Sequence, residues 1–319
     1  MKIVILDGHT LNPGDLSWEE LQAMGEVTVY ERTPPELIVE RSKGADVLFT
    51  NKTPLSADTI GKLSDLRYIG VLATGYNVVD IQAASFRNIP VTNVPTYGTS
   101  SVAQFVLALL LELCHHIGLH NEAVHSGEWS RSGDFCFSLK PLIELHGKKI
   151  GIIGYGRIGQ EVAKVCRALG MEVLASTSGR NPHPDGADTR FVPLDELLAN
   201  SDVVSLHCPL LPDTQGLMNR ARLSLMKPTA LLLNTSRGAL VVEQDLADAL
   251  NANTIGGAGL DVLSIEPPRA DCPLLRARNC IITPHIAWAT KEARSRLMAT
   301  AADNLRAYLK GSPIHVVNH

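Results

Sequence analysis

A chain of 319 residues is too long for one small core, so two domains are the natural expectation. With 45% hydrophobic residues, 19% charged residues and a net charge of −4, it has the composition of a globular enzyme and lacks the basic block that nucleic acid requires. Its longest apolar run, Phe105 to Leu111, is too short to span a bilayer, so no membrane partner is expected.

Short β-rich runs alternate with helical patterns from the start. Strands are predicted at Ile3–Leu6, Val27–Tyr30, Val47–Thr50, Tyr68–Leu72 and Val91–Val94. Helices are predicted between them at Trp18–Met24, Pro35–Lys43, Ser56–Leu63 and Val79–Asn88. A long apolar helix, Val102 to about Leu119, joins this series to a second one. The second series has strands at Ile150–Ile153, Glu172–Ala175, Val203–His207, Ala230–Asn234, Gly257–Asp261 and Cys280–Thr283. A last helix, about Lys291 to Leu309, follows the second sheet and is expected to return to the first. The expected fold is α/β: a doubly wound, Rossmann-type dinucleotide domain over residues 101–289, and a smaller flavodoxin-like α/β domain over 1–100 and 290–319. A cleft between them would enclose a small substrate. A strand at the very start argues against a signal peptide, and six scattered cysteines without a C-x-x-C pair suit a reducing cytoplasm.

The segment Lys149 to Gly159 carries the strongest signal. An apolar strand runs into Gly154-Tyr155-Gly156-Arg157-Ile158-Gly159, and a helical pattern follows at once. In G-x-G-x-x-G the first glycine makes the tight turn, the second lets backbone approach a pyrophosphate, and the third lets helix pack on strand. Phosphates would sit on free N–H groups at the helix start, around Arg157 and Ile158, where the helix dipole favours negative charge.

Three later segments lie at strand ends, where open α/β sheets bind ligands. They are Leu233-Asn234-Thr235-Ser236-Arg237-Gly238, Gly259 to Pro267, and Ile282 to Thr290. Together they supply a guanidinium (Arg237), a carboxylate (Glu266) and an imidazole (His285). These segments, their order and the fingerprint resemble the D-isomer-specific 2-hydroxyacid dehydrogenase family over essentially the whole chain. The resemblance implies hydride transfer between a nicotinamide cofactor, NAD(P)(H), and the 2-position of a short 2-oxo or 2-hydroxy acid, with no metal. It makes Arg237 the substrate clamp, Glu266 the acidic partner and His285 the acid/base, and sets Asp261 near the nicotinamide carboxamide. It also places His207, Pro209 and Thr214 along the adenosine, and Thr235 among the cofactor contacts. Thr74 and Gly75, in Ala73-Thr74-Gly75-Tyr76-Asn77, would grip the substrate carboxylate through backbone N–H groups. Lys52 would add positive charge, and Trp288 would cap a pocket for a short polar substrate.

The chain departs from the family at two places. An acidic residue is expected about 20 residues beyond the fingerprint to bind the adenosine ribose; Ser176-Thr177-Ser178-Gly179-Arg180 stands there instead. An aspartate would repel a 2′-phosphate, whereas Ser176 and Arg180 would welcome one, so tolerance of or preference for NADP(H) is expected. Gln104 stands where the family usually has glutamate. The motifs most resemble the glycerate dehydrogenase (hydroxypyruvate reductase) branch; the alternatives are a D-lactate-type enzyme and a nucleotide-sensing corepressor. His115, His116, His120 and His125 read as surface residues rather than metal ligands. The joining helix and the loop Glu128–Leu145 resemble the family's dimer-forming region, so a homodimer is expected.

Overall fold

The computed structural model describes residues 1–178 and 188–318. The chain divides into two compact units, Met1–Gly98 with Trp288–His319, and Thr99–Ala287.

The first unit opens with β1 (Lys2–Ile5), α1 (Glu19–Gln22), β2 (Glu26–Val29), α2 (Ile38–Ser42), β3 (Val47–Thr50), α3 (Ala57–Gly61), β4 (Tyr68–Val71), α4 (Ile81–Phe86) and β5 (Val91–Thr92). All strand pairs are parallel, in the order β2-β1-β3-β4-β5. Every residue of β3 and β4 is buried, as near-continuous apolar runs must be in a parallel sheet covered on both faces. Alternate residues serve opposite layers. Val4, Leu48 and Ile69 pack with Ile38, Leu55 and Ile60 on one side, and Ile3, Ile5, Phe49 and Tyr68 pack on the other. β5 is shorter than its apolar run suggests. Beyond Thr92 the Asn93 amide donates to Thr74 O (2.7 Å) and Val94 N–H donates to Ala73 O (3.0 Å), so the chain there holds a loop rather than extending the ladder.

The second unit contains α5 (Thr99–His115), α6 (Ile117–His125), α7 (Glu128–Arg131), β6 (Lys149–Ile153), α8 (Arg157–Ala168), β7 (Glu172–Ser176), β8 (Thr189–Phe191), α9 (Leu194–Asn200), β9 (Val203–Leu206), α10 (Arg220–Leu223), β10 (Leu231–Asn234), α11 (Glu243–Asn251), β11 (Gly257–Leu260) and β12 (Cys280–Ile282). Its seven parallel strands run β12-β11-β10-β9-β6-β7-β8. The order reverses where β6 lies beside β9, the point outside whose strand ends open α/β sheets bind nucleotides. The architecture is α/β, with a doubly wound Rossmann-type second unit and a flavodoxin-like strand order in the first.

β8 lies outside the strands read from the sequence, and the single helix expected from Val102 to about Leu119 instead breaks after His115, with α6 bent from α5 by 58°. His116 adopts left-handed backbone (φ 49°), and the Glu112 carboxylate accepts the Gly118 N–H at 3.1 Å across the break. Among the described residues no single helix is long and apolar enough to cross a membrane.

The final helix, α12 (Lys291–Leu309), belongs to the first unit and sets Leu297, Ala301 and Leu305 into its core. Thr290 caps it by accepting the Ala293 N–H.

Candidate active site

The glycine fingerprint is built as two close fits and one open position. Gly154 has φ +95°, and a Cβ on it would lie 2.6 Å from Cys208 N and His207 C, the backbone leaving β9. A Cβ on Gly159 would lie 2.3 Å from Gly154 O, so only glycine lets α8 start this close to the turn. On Gly156 a Cβ would meet nothing within 4 Å. That open surface lies at the start of α8, which has no side-chain cap; Gln160 N–H donates to Gly156 O at 2.9 Å as the helix begins. Arg157 and Ile158 form its first turn. Amides at such a helix start suit an anion.

Around this turn stand the other candidate cofactor residues. Ser176 ends β7 and its carbonyl accepts the Gly154 N–H at 2.9 Å, which puts it beside the fingerprint. Arg180 lies outside the described residues. His207 follows β9, with Nε2 2.8 Å from Ser205 Oγ, and burial lowers its pKa to about 4. Among the described residues, His207 Nδ1 and Thr235 Oγ1 are buried polar atoms with no hydrogen-bond partner. They lie just past the ends of adjacent strands β9 and β10. Such atoms cost about 1–3 kcal/mol each unless a ligand satisfies them. With the open Gly156 surface, they make the residues present a fit for a bound dinucleotide. The Thr214 hydroxyl has a local use: it accepts Leu211 N–H and donates to Pro209 O, both at 2.7 Å, shaping the loop after β9.

The candidate acid/base sits beyond β12. His285 has left-handed backbone (φ 56°), and its Nδ1 lies 2.6 Å from Glu266 Oε2. Glu266 Oε1 accepts Leu263 N–H at 3.1 Å. Asp261, 1% exposed, fixes the His285 loop from beneath. Its Oδ1 accepts Thr283 Oγ1–H (2.7 Å) and Ile286 N–H (2.9 Å), and its Oδ2 accepts Ala287 N–H (2.8 Å). Burial pushes the Asp261 carboxyl above its usual range, against these donors. Asp261, expected from the resemblance beside the carboxamide, therefore spends both oxygens on holding the histidine loop.

Arg237 is exposed and its Nη1 donates to Ser236 O at 2.7 Å. Its neighbour Gly238 is buried, and a Cβ there would lie 1.9 Å from Leu263 C. The arginine loop is thus pressed backbone to backbone on the segment that leads to Glu266. Gly238 and the new role of Asp261 are contacts between distant stretches, which no spacing in the chain announces.

In the first unit, the Asp7 carboxylate gathers the N–H groups of Asn51 (2.8 Å), Lys52 (2.5 Å) and Thr53 (2.7 Å), fixing the loop that carries Lys52. Thr74 Oγ1 donates to Val94 O at 2.9 Å, while the N–H groups of Thr74 and Gly75 donate to no acceptor among the described residues. The Trp288 ring stands edge-on to Tyr97 (centroids 6.2 Å apart, 83°) against the first unit's core. Among the described residues no three His, Cys, Asp or Glu side chains are grouped to hold a metal ion, and all six cysteines are free. His120 bridges backbone instead, with Nδ1 2.8 Å from His116 O and Nε2 accepting Leu139 N–H.

The family model described as D-isomer specific 2-hydroxyacid dehydrogenase, NAD binding domain, matches residues 107–287. The protein is 56% identical to the hydroxypyruvate reductase of Blautia hydrogenotrophica over 100% of both chains. It is 41% identical to the glycerate dehydrogenase of Methylorubrum extorquens, over 99% of this chain and 98% of that one. A solved structure of an acyclic imino acid reductase in complex with NADPH and D-Arg matches with TM-score 0.86 and 32% identity, covering 99% of this chain and 100% of that one. The chain belongs to the D-isomer specific 2-hydroxyacid dehydrogenase family, oxidoreductases with a nicotinamide-dinucleotide domain.

Proposed function

We propose that the protein reduces hydroxypyruvate to D-glycerate, and glyoxylate to glycolate, with NADH or NADPH. The observation that carries the chemistry is the 2.6 Å contact between His285 Nδ1 and Glu266 Oε2, in the same unit as the glycine fingerprint. Hydroxypyruvate is favoured by the 56% identity to a hydroxypyruvate reductase along the full chain.

Hydride exchange with the substrate's 2-carbon is the chemistry a nicotinamide supplies when bound. The protein's own residues handle the charge. Reduction places negative charge on the carbonyl oxygen, and a proton donor in reach lowers that barrier by a typical factor of about 10²–10⁴. His285 is that donor; with Nδ1 turned to Glu266, the proton passes at Nε2. Glu266 orients the ring and balances the imidazolium. Arg237, whose Nη1 is bonded to Ser236 O, offers further guanidinium donors to the substrate carboxylate and polarises the carbonyl. The N–H groups of Thr74 and Gly75 are assigned to substrate binding, Lys52 to long-range attraction of an anion, and Trp288 to the limit on substrate size.

Gly154, Gly156, Arg157, Ile158 and Gly159 are assigned to the pyrophosphate. His207, Pro209, Thr214 and Thr235 are assigned to the rest of the cofactor, and Asp261 to holding the loop that carries His285. Ser176 in place of an acid admits a 2′-phosphate, with Arg180 its counter-charge; the likeness to a structure holding NADPH supports this reading. The exposed apolar side chains Ile117, Leu119, Trp129, Phe135 and Leu142 suit a homodimer through the arm after α5, and six free thiols suit the cytoplasm.

The test is a matrix of hydroxypyruvate, glyoxylate, pyruvate and oxaloacetate against NADH and NADPH, read by loss of reduced-nicotinamide absorbance. Hydroxypyruvate should give the highest kcat/KM. A preference for pyruvate or oxaloacetate would overturn the substrate assignment, and no turnover of any 2-oxo acid would overturn the function.

A further inference from the structure

Between β11 and β12 the chain makes a long excursion that carries Glu266, and Glu243 touches it on both sides of that residue. Glu243 is the first residue of α11. Its Oε1 accepts Ser264 N–H at 2.7 Å, and its Oε2 lies 3.7 Å from Cys272 Sγ, within reach of the thiol hydrogen. The neighbouring Leu263 N–H is the one that holds Glu266 Oε1. Successive amides of one short stretch are thus divided between the two glutamates.

A cavity of about 300 Å³ opens beside this stretch, lined by Glu243, Ile265, Pro268, Arg269 and Cys272. The Glu266 side chain is 37% exposed. Arg269, on the same excursion, pairs with Asp271 (3.2 Å). Leu263 at the start of the stretch belongs to the core of the second unit, and Cys272 and Leu274 pack on that core at its end.

We infer that Glu243 is a positioning residue for the proposed reduction: it braces both flanks of the Glu266 excursion and so keeps the Glu266 carboxylate on His285 Nδ1. This rests on reading Glu266 and His285 as the proton-handling pair. Catalytic groups need placement within about 0.5 Å, and a shift of about 1 Å can cost up to about 100-fold in rate.

The experiment compares E243A, E243Q and C272A in the native and E266Q backgrounds. It measures kcat and KM for hydroxypyruvate, thermal unfolding, and the rate at which a water-soluble maleimide labels Cys272. E243A should lower kcat by about 10-fold or more with KM changed less than about twofold, while E243Q, which still accepts the Ser264 N–H, keeps most activity. In the E266Q background E243A should cost nothing further, and Cys272 should label about 10-fold faster in E243A than in the native protein. An equal loss of kcat in both backgrounds, or a fall in unfolding temperature with kcat untouched, overturns the inference. If E266Q itself proves fully active, the catalytic pair is what fails. The labelling rate then decides the bracing alone, and an unchanged rate refutes it.

Discussion

Replacing Asp261 by asparagine should damage both stability and turnover, through the loop that carries His285. The buried carboxylate accepts three hydrogen bonds, two on Oδ1 and one on Oδ2. Asparagine can keep the two at Oδ1, but its NH2 must then face the Ala287 N–H, donor against donor. A lost charge-assisted bond and an unsatisfied buried donor together cost about 3 kcal/mol. Removing a desolvated charge, the same desolvation that raises this carboxyl's pKa, offsets part of this. The net loss should be about 2 kcal/mol, from a loop whose histidine already sits at φ 56°. Urea unfolding of both proteins, followed by tryptophan fluorescence, measures this, and kcat with saturating hydroxypyruvate should fall about 10-fold or more. An asparagine protein within about 0.5 kcal/mol of the native one, with unchanged kcat, would refute the anchoring role.

Two glycine substitutions should separate cofactor contact from packing. Gly156→Ala, whose Cβ meets nothing in the protein, should leave thermal stability unchanged yet weaken NADH binding in a fluorescence titration; Gly159→Ala, 2.3 Å from Gly154 O, should lose both. Equal effects from the two would contradict the assignment of Gly156 to the pyrophosphate. Ser176→Asp should shift the kcat/KM ratio toward NADH over NADPH by about 10-fold or more, since the new charge repels a 2′-phosphate; an unchanged ratio would remove Ser176 from the ribose site. His207 should make the protein acid-sensitive. Its folded pKa of about 4 lies below the unfolded 6.5, so the unfolded chain binds the proton first as pH falls. Stability therefore rises with pH across that window and drops by about 3 kcal/mol from its top to its bottom. Urea midpoints between pH 7 and pH 4.5 should fall more steeply in the native protein than in His207→Gln, and parallel slopes would count against this.

The strand order was legible where burial writes itself into composition. β3 and β4 are apolar throughout because both faces of the sheet are covered, and their predicted and observed spans differ by at most one residue. β8 was invisible for the opposite reason: of Thr189-Arg190-Phe191 only Thr189 is buried, so no apolar run marks it. The break after His115 carries no proline to announce it, and the apolar pattern resumes at Ile117 and Leu119. Its cause is a left-handed histidine and a carboxylate reaching past it. At the site, the spacing of Gly154, Gly156 and Gly159 was readable because each glycine answers a local demand of turn or packing. Arg237, Glu266 and His285 came from strand ends and from resemblance. Gly238, Glu243 and the loop-holding role of Asp261 arise from contacts between stretches far apart in the chain, and only coordinates reveal those.

The most direct measurement is the kcat/KM of His285→Asn with hydroxypyruvate and reduced cofactor, beside an NADH-binding titration of the same protein. If His285 passes the proton, kcat/KM falls by about 10²–10⁴ while NADH binds as before. Near-native turnover by the asparagine protein would contradict it.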